Sequence, residues 1–94
     1  MRLYQDEKRV LDDLLASLEG EAYLFGSQVD DTQRGGDVDL LVFSAANPFH
    51  LSLELSRKFF MASESKLDVV VMDKENLTDE QEAFLKSLKL ERLK

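Results

Sequence analysis

Ninety-four residues make a single domain, 1–94, at the small end of the usual range, with little room for a second domain that recognises an acceptor substrate. The 19 acidic and 12 basic residues give a formal charge of −7, which disfavours sequence-independent binding to nucleic-acid phosphates and argues against a direct nucleic-acid partner. The absence of cysteine excludes a disulfide framework and a thiolate metal centre.

The opening MRLYQDEKRV is charged from its start and carries no apolar signal core. No apolar run approaches the ~18–20 residues that span a bilayer, so the expectation is a soluble cytoplasmic domain with no membrane partner. Leu3, Tyr4, Val10, Leu11, Leu14, Leu15 and Leu18 recur at helical spacing and predict a helix over 3–19, with Gly20 as its C-cap. EAYLFG, 21–26, predicts a short buried strand, and the polar SQVDDTQRGG that follows predicts a loop. DVDLLVF, 37–43, predicts a second strand.

Asn47 as N-cap and Pro48 at the first helical position open a helix running to about residue 62. Its His50, Glu54, Arg57 and Lys58 share one arc, while Leu51, Leu53, Leu55, Phe59 and Phe60 spread over the rest. That apolar arc is wider than one-sided packing requires. The favoured reading is a helix sunk deeply into the core; the alternative is a partly exposed apolar strip within 49–61 for a partner. KLDVVVM, 66–72, predicts a third strand. Thr78 and Gln81 carry a capping-box signal for a last helix with Phe84, Leu85 and Leu88 inward. The order α-β-β-α-β-α places the chain in the α/β (α+β) class, a small sheet covered by helices.

Three features carry chemistry. Gly26-Ser27 ends the first strand, where glycine lets the backbone approach a ligand and serine offers a hydroxyl to phosphate oxygens. Asp37 and Asp39 sit at i and i+2 of a strand, on one face and ~6–7 Å apart along the chain, while Val38, Leu40 and Val42 point to the core. Two carboxylates so placed repel unless a cation lies between them, and hard oxygens suit magnesium. A solvated strand face is the bland alternative for an isolated Asp-x-Asp. Asp68 lies inside an apolar strand; beside the Asp37–Asp39 strand it becomes a third carboxylate, a general base or a further metal ligand.

Gly26-Ser27, nine residues, Asp37-Val38-Asp39 and a later Asp68 on a strand together resemble the DNA polymerase beta nucleotidyltransferase superfamily. Within it the chain looks like the minimal nucleotidyltransferase (MNT) domains found beside HEPN-domain proteins, and the resemblance covers nearly the whole chain. It implies the small mixed sheet of that fold. It also implies that Gly26 and Ser27 hold the nucleotide's β- and γ-phosphates, that Asp37 and Asp39 bind two magnesium ions, and that Asp68 completes the triad. The implied reaction moves AMP from ATP to a hydroxyl and releases pyrophosphate. Members of this group act as antitoxins, pairing with a HEPN ribonuclease toxin and adenylylating a tyrosine on it.

The chain departs from many relatives at Gly36, where they have serine, and at Gln28, where they have arginine. The second change removes a positive charge near the triphosphate; Arg34 would restore it, although a solvated loop residue is the simpler reading. His50, Lys66, Lys74, Tyr4 and Tyr23 are weaker candidates, read as solvated or packing residues. Two functions follow: an enzyme that adenylylates a protein partner, or an antitoxin that neutralises its partner by binding alone, with homo- or hetero-oligomers open. A transferase acting on an antibiotic-like small molecule is disfavoured by the missing second domain.

Overall fold

The computed structural model describes residues 5–25 and 38–94. Helix α1 (Gln5–Ala16) leads into strand β1 (Glu21–Phe25), followed by β2 (Val38–Phe43), helix α2 (Pro48–Ser63), β3 (Leu67–Met72), helix α3 (Asp79–Ser87) and a two-residue β4 (Glu91–Arg92). The expected α-β-β-α-β-α order is present, and β4 adds a strand too short for residue periodicity to reveal. The sheet order is β3-β2-β1-β4, with β2 parallel to β3 and antiparallel to β1.

β2 is the centre of the fold because both of its faces are covered. On one face Val38, Leu40 and Val42 join Leu11 and Leu15 of α1, Leu55 and Phe59 of α2, Ala22, Leu24 and Leu67. On the other, Leu41 and Phe43 meet Phe25 and Met72, with Leu85 and Leu88 packed against them. A central strand apolar on both sides needs a nearly continuous hydrophobic run, and LLVF supplies it. The inward reading of Val38, Leu40 and Val42 is thereby met.

Helix starts follow their signals. Asn47 accepts the His50 backbone N–H at 3.1 Å ahead of α2. Thr78 and Gln81 form the reciprocal box that opens α3. In α3, Leu85 and Leu88 face the core as expected, whereas Phe84 lies at the margin, edge-to-face with Phe25 at 5.9 Å.

Two expectations are corrected. α1 ends at Ala16, four residues before Gly20, which therefore does not cap it. Gly20 adopts φ 134° where the chain turns into β1 against the last carbonyl of β2. The carbonyls at the end of α1 are met instead by the Lys94 ammonium, which donates to Leu15 O at 2.7 Å and to Leu18 O. A cation there also complements the negative end of the helix dipole. The second correction concerns α2, which is not sunk in the core all round. Leu55 and Phe59 are buried, but Phe49, Leu53, Phe60 and Met61 are exposed, because the sheet and α1 cover only one side of the helix.

Candidate nucleotide-transfer site

The register of the sheet brings the sequence candidates to one edge. Phe25, the last residue of β1, lies opposite Asp39 of β2, and Asp39 lies opposite Asp68 of β3. These three positions form one row across three strands, on the face that carries Leu41, Val70 and α3. Neighbouring strands run ~4.7–4.9 Å apart, so two carboxylates start from adjacent backbone positions and project to the same side. Asp39 is half-buried and Asp68 exposed, which leaves the pair open to solvent on the Asp68 side.

Like charges directly opposite one another destabilise a sheet. The adjoining positions on this face, Leu41 and Val70, are apolar, so packing alone does not call for acids here. Paired carboxylates offer hard oxygen donors, the set that suits magnesium. Among the described residues no group of three or more candidate ligands forms a metal centre.

Gly26, Ser27 and Asp37 lie outside the described residues, as do Tyr4, Gln28, Arg34 and Gly36. Chain connectivity still fixes where two of the candidates attach. Gly26-Ser27 follows Phe25, opposite Asp39, and Asp37 precedes Val38, opposite Leu67. Parallel pairing of β2 with β3 is what makes Asp68 a neighbour of Asp39, and it comes from the α2 crossover rather than from any local motif.

The remaining candidates fall elsewhere. Lys74 follows the far end of β3, about 20 Å along the strand direction from Asp68 at the usual rise. Its ammonium donates to Glu21 Oε2 at 2.8 Å and stands 5.4 Å from the centre of the Phe43 ring. The Tyr23 hydroxyl donates to Glu21 Oε1 at 2.8 Å, and its ring packs edge-to-face on Phe43 at 5.8 Å. His50 serves through its backbone at the start of α2.

This cluster gives a pH-dependent contact. The Lys74 ammonium first, and the Tyr23 hydroxyl second, hold the Glu21 carboxyl below its usual value. A carboxyl with a depressed folded-state pKa adds stability above its unfolded value, and that stability is lost as pH falls through the folded pKa. Glu21→Gln is therefore expected to lower the urea midpoint at neutral pH and to match the wild type below about pH 4. Equal losses at both pH values would show that ionisation of Glu21 plays no part.

A cleft of about 860 Å³ opens at this same far end, between α1, α2 and the strand termini. Asp13, Glu19, Glu21, Glu54, Asp73 and Glu75 line it. An acid-rich wall repels a triphosphate, and the cleft is remote from the Asp39–Asp68 row, so it is not the nucleotide site. No helix among the described residues is long and apolar enough to cross a membrane.

Comparison with known families agrees with the geometry. Residues 7–92 match the family model described as a nucleotidyltransferase domain, a span that includes every candidate named above except Tyr4. No curated protein matches the chain.

Proposed function

The chain belongs to the nucleotidyltransferase domain family, a transferase family, and from that premise we propose that it transfers AMP from ATP to a hydroxyl on a protein partner, as an MNT antitoxin acting on a HEPN-domain toxin. The observation that carries the reading is the Asp39–Asp68 pairing across β2 and β3 beside the end of β1.

Each residue has a task in this reaction. The acceptor hydroxyl oxygen bonds to the α-phosphorus as the bond to the pyrophosphate leaving group breaks. Asp68, the exposed member of the pair, takes the hydroxyl proton as general base. Asp39, with Asp37, would hold the magnesium ions, with Asp68 as a further ligand where it is not free to act as base. When bound, those ions neutralise phosphate charge and align the attacking and leaving oxygens. Ser27 and the Gly26 backbone would hold the β- and γ-phosphates.

Protein with ATP labelled at its α-phosphate and magnesium, with and without a HEPN-domain partner, tests this beside the Asp37→Asn/Asp39→Asn variant. Label in the partner, only with intact aspartates, is the expected result. No label from either protein, while both still neutralise the partner, would replace transfer with antitoxin action by binding alone. Label on an added small hydroxyl compound instead would move the acceptor class to small molecules.

A further inference from the structure

β3 is an edge of the sheet, and its outer side is prepared for another strand. Lys66 O accepts from Val38 N–H and Met72 O from Ser44 N–H, so the even-numbered residues of this segment turn their backbone groups toward β2. The alternation of a parallel ladder then turns those of Leu67, Val69 and Val71 outward. Only Leu67 O has a partner there among the described residues, the Ser56 hydroxyl at 2.7 Å. Edge strands are commonly blunted by lysine, proline or a bulge, and the Val69-Val70-Val71 stretch has none of these.

The Ser56 contact also orients α2. Phe49, Leu53, Ser56 and Phe60 recur at i, i+4, i+7 and i+11, one stripe of a helix. Since Ser56 reaches over the outer edge of β3, the stripe stands beside that edge. Phe49 is 71 % exposed, Leu53 57 % and Phe60 56 %. An unfilled ladder and an apolar helix flank thus share one side of an otherwise acidic molecule.

We propose that this side binds a second copy of the chain, β3 pairing antiparallel with β3 about a two-fold axis to make one continuous eight-stranded sheet. A two-fold interface requires a self-complementary surface, and an antiparallel edge pair is one. With Val69 opposite Val69 of the second copy, the outward groups of Leu67, Val69 and Val71 all find partners. That register sets Glu64 against Lys74 at both ends and places no like charges opposite each other. Moving the axis to Val70 sets Lys66 against Lys74. The axis is perpendicular to the sheet, so both α2 helices lie on the same face and their apolar stripes meet.

Sedimentation equilibrium and amide exchange on the intact chain test the proposal without reference to catalysis. The expected mass is twice the 10.8 kDa of one chain, and Val69 and Val71 amides should gain protection as concentration rises. Leu53→Glu/Phe60→Glu, at exposed positions, should return the mass to one chain with an unchanged circular-dichroism spectrum. A wild-type chain that stays at 10.8 kDa at millimolar concentration overturns the proposal. So does a dimer in which the Val69 and Val71 amides exchange freely, or protection of them that appears only when a HEPN-domain protein is added.

Discussion

Asp39→Asn is expected to lower nucleotidyl transfer by on the order of a thousandfold, about 4 kcal/mol of transition-state stabilisation, while the fold is retained. The size follows from the position. Asp39 lies in the row that joins three strands, between the end of β1 and Asp68. Asparagine keeps the shape and removes the charge that opposes a divalent ion. Transfer measured over a magnesium titration should show the loss even at saturating metal. Asp68→Asn separates the two roles left open for that residue. A base removes its own proton acceptor when replaced, so transfer falls while ATP–magnesium affinity persists. A metal ligand, by contrast, shifts the magnesium dependence. Retention of wild-type rates in Asp39→Asn would detach the paired carboxylates from the chemistry.

Gly20→Ala is expected to be the most damaging single-atom change to the fold. Gly20 has φ 134°, a conformation that side-chain-bearing residues rarely adopt, and an added Cβ would lie 2.1 Å from Phe43 O. The obstacle is backbone of the central strand, not the end of a flexible side chain. Strain of ~1–3 kcal/mol combines with displacement of β2, for a total of at least about 3 kcal/mol. In a domain of this size that corresponds to a fall in melting temperature of roughly 15 °C. A thermal melt checks it, and a loss under about 1 kcal/mol would show that the β1 approach relaxes easily.

The sequence by itself determined the helices and the three long strands, because each obeys a local rule. Asn47-Pro48 and Thr78 with Gln81 are caps whose hydrogen bonds close within three residues, and alternation along DVDLLVF separates Asp39 from Leu40. The same local reading singled out Asp39 and Asp68 as acids inside apolar strands, where burial without a partner is costly. It could not place them side by side. Their adjacency depends on β2 and β3 running parallel, a pairing made across the α2 crossover. The exposed side of α2 was equally out of reach, since periodicity counts apolar residues but not how many sides have a neighbour. Gly20 was read as a helix cap because glycine after a periodic run fits that role; the close passage of Phe43 O, 23 residues later, gave it another. Lys94 meeting the end of α1 and the short β4 beside β1 belong to the same class. Only the tertiary structure decided these features, because each is a contact between segments distant in the chain, and no local preference encodes which segments meet.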